Sequence, residues 1–166
     1  MAPMLQACPP GPPNGNTCFV GNAVTIPSAD ATPPTEVVVD FHLPDGTLKT
    51  VKSGQAAPTI ASATAGTATL IARATDPNGV KDIQLWVAAK SCHMVGNLET
   101  CSGPGLLGRP TASNPDNQGA GASGCTERVA NQNVPIGGGT SQEVTAIGVN
   151  FGGGQTSTTT VTVTAP

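Results

Sequence analysis

The stretch Gly66-Thr-Ala-Thr-Leu-Ile-Ala-Arg-Ala-Thr-Asp76 decides the fold class. Ala68, Leu70, Ala72 and Ala74 alternate with Thr67, Thr69, Ile71, Arg73 and Thr75, the period of two that sends successive strand side chains to opposite faces. The first set predicts a buried face. Pro77-Asn78-Gly79 reads as a turn in which Asp76 and Asn78 bond their own backbone and Gly79 takes a positive φ. Beyond it, Val80-Lys-Asp-Ile-Gln-Leu-Trp-Val87 places Ile83, Leu85 and Val87 on one face and leaves Trp86 on the other.

Working outward, the same grammar recurs. Glu36-Val-Val-Val-Asp-Phe-His-Leu43 and Thr47-Leu-Lys-Thr-Val-Lys52 flank Pro44-Asp45-Gly46, where Pro pre-sets φ and Gly supplies the left-handed residue. Val37, Val39, Phe41 and Leu43 form the expected core face of this hairpin, which spans 36–52. Towards the C-terminus, Glu143-Val-Thr-Ala-Ile-Gly-Val-Asn-Phe151, a Gly152-Gly153-Gly154 turn and Thr156 to Ala165 make another hairpin, its last strand rich in β-branched Thr and Val. Phe19 to Ile26 reads as a short edge strand and Ser53 to Ala57 as a connector. No window carries the 3.6-residue apolar period of a helix. Short strands between Gly and Pro turns predict an all-β sandwich.

These residues resemble bacterial Ig-like domains. Gly66 to Val80, continued by Ile83 to Val87, is similar to their B to C strand pair, and Thr145 to Gly153 with Thr158 to Val163 is similar to their F to G pair. The resemblance covers about residues 57–90 and 142–165. It implies an immunoglobulin-like antiparallel β-sandwich, here with an N-terminal arm and hairpin and a long loop insertion. It implies little about function, because such modules serve as spacers, adhesins, enzyme accessories and viral surface decorations.

Length and composition narrow the classes. The 166 residues suit one domain, a Pro- and Gly-rich arm over 1–18 followed by a sandwich over 19–166. A net charge of −3 with 10% charged residues gives no electrostatic footprint for nucleic acid or an anionic membrane surface. No apolar run is long enough for a membrane span. Met1 to Pro13 lacks the basic start and apolar stretch of a signal peptide, so any export signal is expected to have been removed. Leu5-Gln6-Ala7-Cys8 faintly resembles the end of a lipoprotein signal, but the preceding apolar segment is missing.

Five cysteines without a CxxC spacing point to disulfides and an oxidising location, extracellular or on a cell or virion surface. If Gly96-Asn97 is a two-residue hairpin turn, Cys92 falls opposite Cys101 at a non-hydrogen-bonded pair, where strands approach most closely. Cys8 pairing with Cys18 would close a short ring that stiffens the arm. Cys125 is then the free thiol, unless it captures Cys8 or Cys18. Ser102 to Gly124 is expected to be a long surface loop, of a length usually functional or disordered.

The chemistry-bearing residues read mostly as structure. His93 beside Cys92 and Met94, with His42 elsewhere, invites a copper site, but neighbouring strand residues point to opposite faces and cannot easily share an ion. Asp76-Pro-Asn-Gly79 offers oxygens to calcium, with Asp82 the nearest further carboxylate, and the turn explains the same residues. Neither a metal nor a cofactor is expected. His42 and His93 sit in no nucleophile motif, and a carboxylate pair of Asp40 with Asp45 lies on a hairpin whose turn already accounts for Asp45, so no enzyme is expected. Trp86 is the candidate partner-binding residue, Trp being enriched at interface hot spots. With no Tyr and three Phe, an aromatic sugar platform is hard to build and carbohydrate is disfavoured. The expectation is a non-catalytic extracellular module with a structural or adhesive role, binding a protein partner or itself. A subunit of a larger assembly, such as a viral decoration protein or a filament protomer, is the alternative, and a small metalloprotein or enzyme a distant third.

Overall fold

The computed structural model describes residues 20–26, 30, 32–102, 110–116 and 123–166. Its described residues are all-β, eleven strands joined in a mixed, open sheet. The arm over 1–18, with Cys8 and Cys18, lies outside the described residues.

The organising element is β5, Gly66–Val95. It contains both halves of the deciding stretch, and each half has different neighbours. Thr69 to Thr75 pairs with β2, Glu36–His42, and Gly66 to Thr75 pairs on the other side with β8, Ser123–Ile136. From Val80 to Ser91 the partner is β9, Thr140–Asn150. The pairing registers shift between Thr75 and Val80. The expected turn at Pro77-Asn78-Gly79 is therefore a corner in one continuous strand. Its local chemistry is as expected: Asn78 N–H donates to Asp76 Oδ1 at 2.8 Å and Gly79 has φ of 105°.

β3, Leu48–Lys52, completes the 36–52 hairpin, with His42 opposite Leu48 and Val39 opposite Val51. β9 runs through the Gly153 turn into β10, Gln155–Ser157, and then β11, Val161–Thr164. Between these two, buried Thr158 bonds Ala146 twice: its N–H donates to Ala146 O and its Oγ1 accepts Ala146 N–H, both at 3.0 Å. β1, Val20–Thr25, is the expected edge strand and lies on β8. β4, Thr59–Ala61, pairs in parallel with β11, so the sheet is mixed where a wholly antiparallel one was expected.

One hydrophobic cluster holds inward side chains from both halves of β5. Ala68, Leu70, Ala72 and Ala74 from the first and Ile83, Leu85 and Val87 from the second are all buried, together with Val37, Val39 and Phe41 of β2 and Val144 and Ala146 of β9. The sheet is folded over so that its halves face one another. At Gly148 of β9 the approach is close: a Cβ there would lie 2.8 Å from Ala74 Cβ and 2.9 Å from Val37 Cγ2.

The Pro44-Asp45-Gly46 turn is tied more firmly than its sequence required. Asp45 accepts Thr47 N–H at 2.8 Å through Oδ1 and Ala63 N–H at 2.7 Å through Oδ2. The backbone hydrogen bonds from Ala63 and Thr47 lower its pKa from 3.8 to about 2. A depressed carboxylate pKa stabilises the fold above the unfolded value and loses that contribution as pH falls through the folded value. Asp45→Asn is accordingly expected to melt lower than wild type at neutral pH. The difference should shrink as pH falls from 3.8 to about 2, and thermal melts by circular dichroism across that range check it.

Candidate functional site

The second half of β5 carries most of the candidate residues. Cys92 and Cys101 are cross-strand partners between β5 and β6, Leu98–Ser102, with Val95 opposite Leu98 beside the turn. That register is the one predicted around Gly96-Asn97, where Gly96 has φ of 65°. The side chains of Cys92, His93, Met94 and Cys101 lie outside the described residues. At the tip, Val95 is 59% and Leu98 70% exposed, two apolar side chains next to one another and facing water.

Trp86 lies on the outward face of β5 as expected, across from Thr145 of β9. It is partly buried, and its indole N–H donates to Gln84 Oε1 at 3.2 Å. Gln84 in turn donates to Asp82 Oδ2 at 2.9 Å. The residues at i, i+2 and i+4 thus form a polar ladder along one face of the strand. Burial raises the pKa of Asp82, against the lowering by the Gln84 hydrogen bond and the Arg128 charge.

The insertion differs from the expected surface loop. Its middle forms β7, Ala112–Ser113, on the edge of β5 opposite Gln84 and Leu85. Backbone N–H groups of Thr111, Asn114 and Asp116 bond to the carbonyls of Leu85, Ile83 and Lys81. Arg128 of β8 anchors this segment from beneath. It is 1% exposed, its Nε donates to Val80 O at 3.0 Å, its Nη1 to Asn114 Oδ1 at 3.4 Å, and its Nη2 stands 2.5 Å from Asp116 Oδ2. Asn114 also donates to Val129 O at 3.1 Å. A charge is tolerated there because it is paired and hydrogen-bonded. No sequence pattern had singled out Arg128, Asn114 or Asp116; a basic residue among inward positions gives no clue to its partner 12 residues upstream in a glycine-rich stretch.

Cys125 is buried and disulfide-bonded. This corrects the expectation of a free thiol, which rested on the odd cysteine count. It sits in β8 opposite both Ala23 of β1 and Val80 of β5. The sulfur it joins lies outside the described residues.

The remaining candidates are separated. His42 is exposed at the end of β2. Asp40 accepts Arg73 Nη2 at 2.6 Å and Thr50 Oγ1 at 2.6 Å, while Asp45 is held in its turn, so the two carboxylates have distinct structural tasks. Asp40 and Arg73 belong to a shallow polar groove of about 250 Å³ on the outer face of β2, β3, β5 and β8, which also takes in Glu36, Lys52 and Glu127. Lys52 pairs with Glu36 at 3.1 Å across it. Burial raises the Glu127 pKa and the Arg73 charge opposes that rise. Among the described residues no helix is long and apolar enough to cross a membrane.

No protein-family model matches the chain, and no curated protein does. Among solved structures, the sporulation control protein Spo0M of Bacillus subtilis is similar over 78% of this chain and 50% of its own, with 12% identity and a TM-score of 0.31. The chain spans half the length of that protein, and neither fold nor function is carried over from it.

Proposed function

We propose that the chain is a non-catalytic extracellular module of the immunoglobulin-like β-sandwich class, with a structural or adhesive role exercised through a protein partner or a second copy of itself. The observation that carries the reading is the hairpin tip. Val95 and Leu98 are large, exposed and adjacent on a ribbon whose base holds two facing cysteines. A cross-strand disulfide between Cys92 and Cys101 would keep that ribbon rigid and lower the ordering cost of binding. The β7 segment lies on the same half of β5, and Trp86, nine residues back from Val95 and on the opposite face of the strand by its alternation, would be a separate contact from the tip. The face-to-face packing of the two halves of β5 around one core supports the sandwich, and the cysteines support an oxidising location.

The alternative is a subunit of a larger assembly. What favours it is the open edges: among the described strands, β3 pairs only with β2 and β4 only with β11, leaving ladders on which another chain could add. Light scattering on the purified protein decides between the two. The module reading expects the monomer mass of 16.4 kDa at low concentration, with at most a weak concentration-dependent dimer, and a defined multimer independent of concentration favours the assembly. Replacing Val95 and Leu98 together by Ser is expected to change the unfolding free energy by no more than about 0.5 kcal/mol per site, the range of exposed-site changes. The same double variant should abolish any concentration-dependent association. If association persists unchanged in it, the tip is not the contact.

A further inference from the structure

The Asp76 corner holds more acid than its turn consumes. Asp76 is 2% exposed, and Asn78 N–H occupies only Oδ1; Oδ2 is buried with no hydrogen-bond partner among the described residues. Asp30 repeats the pattern. It is 9% exposed, its Oδ1 accepts Thr32 N–H at 3.0 Å, and its Oδ2 is likewise buried and unpartnered. The chain after Asp30 is laid against the corner by several bonds. Thr35 N–H and Oγ1 both donate to Thr75 O at 2.9 Å, Thr156 Oγ1 donates to Pro34 O at 2.6 Å, and Asn150, the cross-strand partner of Val80, donates through its amide to Thr32 O. Desolvation raises the Asp76 pKa, the Asn78 N–H hydrogen bond lowers it, and the charge of Asp30 raises it.

Buried polar atoms are almost always satisfied, and two buried anions repel. Two such oxygens in one corner call for a positive charge. We propose that this corner binds one hard divalent cation of the calcium type, held by Oδ2 of Asp30 and Oδ2 of Asp76. Among the described residues no three His, Cys, Asp or Glu side chains converge, so the rest of the shell comes from neutral oxygens, main-chain carbonyls and water. That donor set suits calcium, which takes six to eight oxygens in adaptable geometry, better than zinc or copper, which favour nitrogen and sulfur, or magnesium, which requires a near-ideal octahedron. The ion would fasten Asp30 and the 32–35 segment to the corner where β5 changes partners. This goes beyond the module reading and does not depend on what the module binds.

Isothermal titration of chelator-treated protein with CaCl2, beside MgCl2 and with thermal melts in each, tests it. Wild type is expected to bind one calcium, at up to roughly millimolar Kd as in extracellular modules, and to melt higher with calcium than in chelator. Asp76→Asn keeps the Oδ1 acceptor for Asn78 and loses the charge. It is expected to melt higher than wild type in chelator and to bind calcium at least about tenfold more weakly. Wild type that shows neither binding heat nor a melting shift with calcium overturns the proposal, and that titration decides even if the variant does not fold. A folded Asp76→Asn that keeps the full calcium response overturns it as well.

Discussion

Arg128→Met is expected to destabilise the protein by about 3–5 kcal/mol, the cost of leaving a buried ion pair with one charge. The guanidinium is enclosed and touches Val80 O, Asn114 Oδ1 and the Asp116 carboxylate. Met fills similar volume and supplies none of these donors, while Asp116 stays buried. The loss should be local as well as global. Amides of Thr111, Asn114 and Asp116, which bond to β5 carbonyls, should exchange with solvent much faster than in wild type, because the segment they belong to loses its anchor. Removing both charges, in Arg128→Met with Asp116→Asn, is expected to recover part of the stability, since the uncompensated carboxylate is the costly species. Denaturant melts give the first quantity and hydrogen exchange the second.

The other large effect is expected from the smallest addition. Gly148→Ala places a methyl carbon 2.8 Å from Ala74 Cβ and 2.9 Å from Val37 Cγ2. The first of these atoms is bonded directly to the backbone and cannot swing away. Overpacking of this kind costs about 1–3 kcal/mol, and at about 2–4 °C per kcal/mol for a chain of this size the melting temperature should fall by several degrees. The strand itself is not the cause, because Gly148 does not have the positive φ that Gly79 or Gly153 has. Ala74→Gly combined with Gly148→Ala is therefore expected to be more stable than the sum of the two single changes predicts, the signature of residues in contact.

These two sites also mark where sequence reading succeeds and where it stops. Ala68, Leu70, Ala72 and Ala74 are legible because an inward face of small and apolar residues against Thr, Ile and Arg is an unambiguous period of two. The 36–52 hairpin is legible because Pro44, Asp45 and Gly46 each have one turn role. β8 was missed for a physical reason: its buried and half-buried inward positions run Arg128, Ala130, Gln132, Val134, Ile136, so a charge and an amide interrupt the apolar pattern. The pairing that makes Arg128 acceptable inside involves Asp116, in a stretch that reads as loop because two residues of β7 carry no periodicity. Asp76 shows the limit at the candidate site. Its turn was readable from Asp-Pro-Asn-Gly, but the second carboxylate, Asp30, arrives from 46 residues upstream by way of the Thr35, Pro34 and Asn150 bonds. Likewise, the parallel pairing of β4 with β11 joins Ile60 to Val163, and no local signal announces it. Local alternation specifies which side chains point inward; which partner each strand meets is decided by long-range contacts that a single sequence does not display.

The corner at 76–79 illustrates that division. Both halves of β5 were expected as strands, yet the Pro77-Asn78-Gly79 segment bends one strand between two sets of partners, β2 and β8 before it and chiefly β9 after it, with β8 reaching Val80. Folding the sheet over at this point brings Ala74 and Gly148 together and closes the core.

Proton-proton distances across that core give the most direct test. In a nuclear Overhauser spectrum of the folded protein, the α protons of Gly148 should show strong cross-peaks to the methyl groups of Ala74 and Val37, from β5 and β2. If those cross-peaks are missing while the β5 to β9 ladder peaks are present, the two halves of the sheet do not face each other and the architecture described above is wrong.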